Sequence, residues 1–130
     1  MRLTRVGGLI FLCLFLLAVD VLLKAYSYFY LPPMYLSSGV FPYGGISVFK
    51  DLVGIDFCIT CVMNKGAAWG LFSSYQEILL YARLLIVLFM AVYLFVGKMP
   101  LVKRSALGLI VTGAVGNVID FFAYGHVIDM

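Results

Sequence analysis

The most constraining feature of this 130-residue sequence is a set of three long apolar runs. They cover approximately residues 6–24, 78–96 and 106–123, each close to the roughly 20 residues that a helix needs to cross a bilayer. Only 12% of the residues are charged, against about 25% in soluble domains. A soluble protein of this size could not bury so much apolar surface. The sequence therefore predicts one integral membrane domain over residues 1–130, and it argues against a soluble enzyme.

The first apolar run has a second interpretation, a cleavable signal peptide, because Arg2 and Arg5 precede it. However, Ala18-Val19-Asp20 lacks a small-x-small cleavage pattern, and further apolar runs follow. We therefore interpret this run as a retained transmembrane helix.

The segment between the first two runs, residues 25–77, is rich in glycine, proline and aromatic residues. Glycine and proline at this density break helices, whereas residues 45–49 and 55–63 have the composition of strands. Aromatic side chains favour the membrane–water interface. We predict a membrane all-α bundle with a small β-sheet layer in this outer loop, and a short interfacial helix near residues 71–76.

The basic residues indicate the orientation of the helices. The net charge is +3, but the positive residues flank the apolar runs and form no cluster longer than Lys103-Arg104, which argues against nucleic-acid binding. Basic residues concentrate on the cytoplasmic side of membrane proteins. We therefore predict a cytoplasmic N-terminus, an outward-facing loop 25–77, and a short basic cytoplasmic turn over residues 97–104. Five residues mark that side: Arg2, Arg5, Lys98, Lys103 and Arg104.

Cys58 and Cys61 form a C-x-x-C pair, and Cys13 lies within the first apolar run. A zinc site needs four ligands, and the sequence offers a single histidine, His126. The residues around the pair resemble a strand, on which positions three apart point to opposite faces. We therefore favour two packed cysteines over a redox pair, and we predict no metal or other cofactor.

Charged residues within the apolar runs need a partner or a purpose, because a charge at mid-membrane costs roughly 2.5–3.5 kcal/mol. Asp20 and Lys24 are four positions apart and can pair on one helix. Such a pair either fixes the depth of the helix or orients a neighbouring group. Gly113, Asn117 and Asp120 share one helix face by their spacing, which indicates either a packing stripe or, as we favour, a functional cluster.

The last residues of the chain are predicted to turn back toward that cluster. Asp129 follows Asp120 by nine positions, so on an unbroken helix the two would face opposite ways. Gly125 favours a helix end, which would let Asp129 fold back near Asn117 and Asp120. By itself Asp129 would be an ordinary loop acid, and His126 a loop or interface residue.

A further distinctive segment is Asn64-Lys65-Gly66-Ala67-Ala68-Trp69-Gly70. Small residues allow a ligand to approach the backbone closely, and the Asn64 amide can both donate and accept hydrogen bonds to an extended peptide. The alternative is an interfacial turn with an aromatic anchor.

Four segments, in order, resemble the motifs of the bacterial lipoprotein signal peptidases, or signal peptidase II, over nearly the whole chain. Asp20 to Lys24 is similar to the family's D-x-x-x-K, and Asn64 to Gly70 is similar to its N-x-G-A-A-[FW]-G. Residues 113–120 resemble G-A-x-G-N-x-x-D, and residues 127–129 resemble V-[VI]-D.

The resemblance implies an aspartic endopeptidase of the bacterial inner membrane with its active site on the outer face. It would cleave signal peptides just before the lipid-modified cysteine of prolipoproteins. The expected partners are these substrates and membrane lipid, and the protein is expected to be a monomer. By motif, Asp129 is a catalytic residue, and Asp20 and Lys24 form a structural pair. The motifs also assign site-supporting and substrate-binding roles: the former to Asp120, Asn117 and Gly116, the latter to Asn64, Gly66, Ala67, Ala68 and Trp69.

The sequence departs from the family pattern at three points. Val21 replaces the usual glutamine after Asp20, and Phe121 replaces the usual arginine after Asp120, which is expected to leave Asp120 without its adjacent partner. The second catalytic aspartate belongs to an N-x-A-D motif that is expected to open a fourth span beyond Met130, so these 130 residues alone are expected to be inactive. Two alternatives stay open: an inactive relative that binds lipidated precursors, and a small transporter or channel subunit with a polar path.

Overall fold

The computed structural model describes residues 2–67 and 70–130, and three long helices dominate it. Helix α1 spans Arg2–Tyr30, α2 spans Gln76–Val96 and α3 spans Leu101–Tyr124.

All three helices are long and apolar enough to cross a bilayer. The qualifying stretches are Val6–Tyr30, Ser73–Val96 and Leu101–Tyr124, each longer than the apolar run that predicted it. Only helices and closed barrels satisfy all backbone hydrogen bonds in hydrocarbon. The predicted helical membrane bundle is therefore confirmed for the three helices.

The connection between α2 and α3 is shorter than the basic turn predicted for it. The amide of Gly97 donates to the Tyr93 carbonyl at 2.8 Å and ends α2. Pro100 precedes the first residue of α3, a position where proline is tolerated because the missing N–H would have no helical partner. Lys103 and Arg104 therefore lie in the first turn of α3, and not in the connection.

The predicted β layer is present as two antiparallel pairs of strands. Strand β1 (Ile46–Leu52) pairs with β2 (Ile55–Ile59) as a hairpin. Strand β3 (Val62–Asn64) pairs with β4 (Val127–Asp129). The stretch predicted as one strand over residues 55–63 thus divides between two sheets, and β4 lies outside the loop in which strands were expected.

The interfacial helix predicted near residues 71–76 is a single 3-10 turn, Ser73–Tyr75, that leads directly into α2. The two cysteines of the C-x-x-C pair do not share one strand as predicted. Cys58 lies in β2, whereas Cys61 lies between β2 and β3 and forms an isolated bridge with Pro33. Both are free thiols, and Cys61 is fully buried.

Helix α3 contacts both other helices. Glycines on α3, Gly108 and Gly116, are buried where it meets α1. In contrast, large side chains on the outer faces of the helices are exposed, among them Phe11, Phe89 and Phe95. Apolar side chains at such positions suit contact with lipid tails.

The buried apolar residues of the core in the described part of the chain lie at the sheet end of the helices. They are Cys61, Val127 and Ile128. Two of the three belong to β4, so the short pair β3–β4 is the best-packed apolar region of the described chain. The candidate functional residues are attached to this region.

Candidate functional site

Lys24 is the centre of a buried polar cluster between α1 and α3. Its Nζ lies 3.1 Å from Asp20 Oδ2 on its own helix and 2.8 Å from Asp120 Oδ2 on α3. The same nitrogen donates to Asn117 Oδ1 at 2.9 Å. Lys24 is 6% exposed and Asp120 1% exposed. The Asp20–Lys24 pair is therefore not self-contained, because its lysine also binds the two polar side chains of α3.

Gly116 leaves room for the Asp20 side chain where α1 meets α3. A Cβ at this position would overlap Asp20 Oδ2, whereas a Cβ at Gly113 would meet no atom within 4 Å. The predicted face of Gly113, Asn117 and Asp120 is therefore wrong at Gly113, which is exposed. The buried residues of α3 are instead Gly108, Gly116 and Asp120, which are spaced by multiples of four. Residues four apart lie nearly above one another on a helix, so these three share one face.

Gly125 ends α3, as its position predicted. Its φ of 77° is in the left-handed region that glycine adopts without steric cost, and its amide donates to the Phe121 carbonyl at 2.9 Å. The chain then turns back, and the amide of Ile128 donates to Asp120 Oδ2 at 3.3 Å. Asp120 therefore holds the backbone of β4 while Lys24 neutralises its charge.

The Asp129 side chain hydrogen-bonds with Asn64, while the backbone of its neighbour Ile128 bonds Asp120. Val62 is opposite Asp129 in the β3–β4 pair, so Asn64, two residues further, lies on the same face. Asn64 Nδ2 donates to Asp129 Oδ2 at 2.9 Å. Asn117, by contrast, is bonded to Lys24. The polar residues thus form two groups, a buried ion-pair cluster around Lys24 and the exposed carboxylate of Asp129. Ile128 connects them, because its amide bonds Asp120 and it precedes Asp129.

The carboxylate of Asp129 opens to solvent. Asp129 is exposed, and an open cleft of about 450 Å³ lies beside it. In the described part of the chain, Asn64 makes the hydrogen bond to this carboxylate through Oδ2. The arrangement presents an oriented carboxylate with an oxygen available to a water molecule or a ligand. The cleft is lined by Val62, Met63, Asn64, Lys65, Gly70, Ser73 and Asp129.

The segment after Asn64 forms a tight turn that fixes the Asn64 amide. The amide of Gly66 donates to Asn64 Oδ1 at 2.9 Å, and Asn64 Nδ2 also donates to the Ala67 carbonyl at 3.1 Å. Gly66 is buried, and a Cβ there would overlap the backbone of Gly70 and Leu71. The predicted substrate-binding residues Ala68 and Trp69 lie outside the described residues.

Sequence reasoning assigned no role to Arg83, which lies in the second span. Its Nη2 donates to the Gly66 carbonyl, so a charged group of α2 reaches the turn that holds Asn64. The position of Arg83 within an apolar span could have indicated its role, because a charge within a span needs a partner.

Two residues that differ from the family motifs, Phe121 and Val21, lie within the described helices. Phe121 packs its ring edge-on against Phe122, with ring centroids 6.4 Å apart. Asp120 lacks the adjacent arginine, as expected, and Lys24 of α1 supplies the positive charge instead. Nothing in the structure explains the residue choice at Val21.

Three helices long and apolar enough to cross a bilayer, with an exposed carboxylate at their sheet end, are typical of a multi-pass membrane protein. A family model described as signal peptidase (SPase) II matches residues 12–130. The chain therefore belongs to the signal peptidase II family.

Curated relatives that carry the name lipoprotein signal peptidase give the same result. The protein of Chlamydia felis is 47% identical over 75 residues, covering 56% of this chain and 46% of the relative. That of Clostridium tetani is 37% identical over 87 residues, covering 65% of this chain and 56% of the relative. The chain thus spans about half the length of the curated relatives it matches. No solved structure matches it significantly.

Proposed function

We propose that this chain is part of an aspartic endopeptidase that removes signal peptides from diacylglyceryl-cysteine prolipoproteins. The proposal is supported by membership of the signal peptidase II family and by the name lipoprotein signal peptidase of the relatives. The observation that carries it is the exposed carboxylate of Asp129, which Asn64 orients at the edge of an open cleft.

In this proposal Asp129 is one member of a catalytic pair of carboxylates. Two neighbouring carboxylates share a proton, because like charges disfavour double ionisation. One then acts as a base toward the attacking water and the other as an acid. Asp120 does not suit the second role, since it is buried and ion-paired with Lys24. The proposal therefore requires a second carboxylate from outside this cluster.

The remaining cluster would hold Asp129 in place. Asp20 and Asn117 bind Lys24, which pairs with Asp120. Asp120 in turn accepts a hydrogen bond from the backbone amide of Ile128, the residue before Asp129. The turn after Asn64 lines the cleft and would contact the substrate backbone. A site held by rigid elements and by its own hydrogen bonds keeps a catalytic group within the narrow geometry that reaction requires.

The positions of the charges support an active site on the outer face of the bacterial inner membrane. Arg2, Arg5 and the basic residues around the α2–α3 connection mark the opposite end of the helices, which the positive-inside rule assigns to the cytoplasm. The sheets and Asp129 then face outward, where the lipid-modified precursors would be met.

A transporter or channel is a weaker proposal than a surface peptidase. A polar path requires polar groups spread through the depth of the membrane. Here Lys24 and Asp120 meet near the ends of α1 and α3 that adjoin the sheets. This placement favours a site at the membrane surface.

The test is cleavage of a synthetic lipid-modified prolipoprotein by the full-length protein in detergent micelles. We expect Asp129→Asn to lower kcat by at least about 100-fold, since loss of a general acid or base typically costs 10²–10⁴. Asp51→Asn is the matched control, because it removes an exposed acid from a hairpin position whose positive φ asparagine tolerates. An active Asp129→Asn variant would rule out the catalytic assignment. Binding without cleavage by the wild-type protein would instead favour the inactive relative.

A further inference from the structure

Arg83 is a charged residue within an apolar helix, and its partner is unusual. It lies seven residues after the start of α2, about 10 Å along the helix axis. Both ion pairs in the described part of the chain are made by Lys24, so Arg83 has no described carboxylate within 4 Å. Its guanidinium instead donates to the backbone carbonyl of Gly66.

The backbone N–H of the same residue, Gly66, in turn determines the orientation of the Asn64 side-chain amide. The Gly66 amide donates to Asn64 Oδ1, so the oxygen of the side-chain amide is directed into the turn. The nitrogen Nδ2 is then directed toward Asp129 Oδ2. Since an asparagine amide has one accepting and one donating end, fixing the first end fixes the second.

The turn itself is closed mainly by its own backbone. The amide of Ala67 donates to the Leu71 carbonyl at 2.7 Å, and that of Gly70 donates to the Ala67 carbonyl at 3.0 Å. These bonds shape the turn without joining it to a helix. Among the described residues, the Arg83 side chain makes the hydrogen bond that joins the turn to α2.

We infer that Arg83 is a positioning residue for Asp129, which it reaches through Gly66 and Asn64. This rests on the proposed function, because it assigns Arg83 to the orientation of the proposed catalytic carboxylate. Arg83 is not among the residues that line the cleft, and its hydrogen bond goes to Gly66 and not to Asp129, so its effect is on geometry. A misplacement of about 1 Å at a catalytic group can lower the rate about 100-fold.

The first test measures hydrogen–deuterium exchange of the full-length protein in detergent micelles. We expect Arg83→Gln to increase exchange in residues 64–67 and 70–71 by at least about tenfold, because the turn loses its link to α2. Arg83→Lys, which keeps a donor and the charge, should restore part of the protection. Lys98→Gln, which removes an exposed positive charge just after α2, is the control and should leave this segment unchanged. Unchanged exchange in Arg83→Gln would overturn the inference.

The second test measures cleavage and uses non-additivity. Arg83→Gln should lower kcat by between about 10- and 100-fold with KM changed less, and Arg83→Lys should recover part of the loss. If Arg83 acts through Asn64, the double variant Asn64→Ala/Arg83→Gln should be no slower than Asn64→Ala alone. Additive losses would overturn the positioning role. A wild-type protein that does not cleave would overturn the proposed function, while the exchange measurement would still decide whether Arg83 holds the turn.

Discussion

The Nζ of Lys24 lies 2.8 Å from Asp120 Oδ2, and this buried ion pair joins α1 to α3. Lys24 and Asp120 are more than ninety positions apart in the sequence and lie on different helices, so the pair is a purely tertiary contact. Its stability depends on both partners, because a buried charge that loses its counter-charge is far more costly than an exposed one.

We expect Lys24→Met to destabilise the protein by roughly 3–5 kcal/mol, since it leaves a buried carboxylate unpaired. The free energy of unfolding can be measured by denaturant titration in micelles with circular dichroism. Lys98→Met, at an exposed lysine, should change that free energy by no more than about 0.5 kcal/mol. Equal effects of the two substitutions would contradict the assigned role of Lys24.

The two glycines of the third helix provide a matched pair. Gly116→Ala should destabilise by about 1–3 kcal/mol, because the added methyl group would overlap the Asp20 carboxylate and displace it from Lys24. Gly113→Ala meets no atom and should be neutral or stabilising by up to about 1 kcal/mol, owing to the higher helix propensity of alanine. Thermal unfolding measures both variants, and Gly116→Ala should have the lower melting temperature. A lower melting temperature for Gly113→Ala would refute the prediction.

Thiol labelling tests both the packing of the outer loop and its orientation. Cys61 is fully buried, and burial raises the pKa of its thiol, so its reactive thiolate is scarce. In single-cysteine variants we expect Cys58, which is partly exposed, to react with a maleimide at least about ten times faster than Cys61.

The same experiment reports the side of the membrane. A membrane-impermeant maleimide added to intact spheroplasts should label Cys58 if the loop faces outward. A single-cysteine Cys13 variant is the control, because Cys13 lies within α1 and should stay unlabelled. Labelling of Cys58 only after the membrane is permeabilised would reverse the proposed orientation.

His126 is expected to make the stability of the sheet end of the protein depend on pH. Burial and the nearby positive charge of Lys65 lower the pKa of His126 below its usual 6.5, although Asp120 opposes the shift. A folded-state pKa below the unfolded value means that the unfolded state binds the proton more readily. The contribution of His126 is therefore present above pH 6.5 and is lost as the pH falls through its lowered pKa.

The measurement is the difference in melting temperature between the wild type and His126→Gln as a function of pH. We expect this difference to be constant above about pH 7 and to shift in favour of the variant at lower pH. An NMR titration of the imidazole gives the pKa directly. A value at or above 6.5 would contradict the prediction.

The helices could be predicted from the sequence because their cause is local. A run of about 20 apolar residues has one solution in a bilayer, a helix that bonds its own backbone. The end of α3 was equally local, since Gly125 adopts a left-handed conformation that other residues avoid. The turn at Asn64 to Gly70 was recognised as distinctive for the same reason, that small residues permit close backbone contacts.

The partners of the polar residues could not be predicted in this way. The helix end at Gly125 suggested that Asp129 folds back near Asn117 and Asp120, but it could not show that the Asp129 side chain bonds Asn64. Periodicity suggested Asp20 for Lys24, but it could not show that Lys24 also reaches Asp120. It placed Gly113 on the packed face, which Gly116 occupies. Each of these outcomes depends on how one helix is rotated against another, which the sequence of a single helix does not state.

The sequence by itself therefore determined which segments enter the membrane and which residues carry the family's motifs. Only the tertiary structure decided that β4 pairs with β3, that Asn64 orients Asp129, and that Arg83 reaches Gly66. The physical reason is the range of the forces involved. Burial of apolar runs is set by neighbours along the chain, whereas a hydrogen bond forms only when packing brings two distant groups to within about 3 Å of each other.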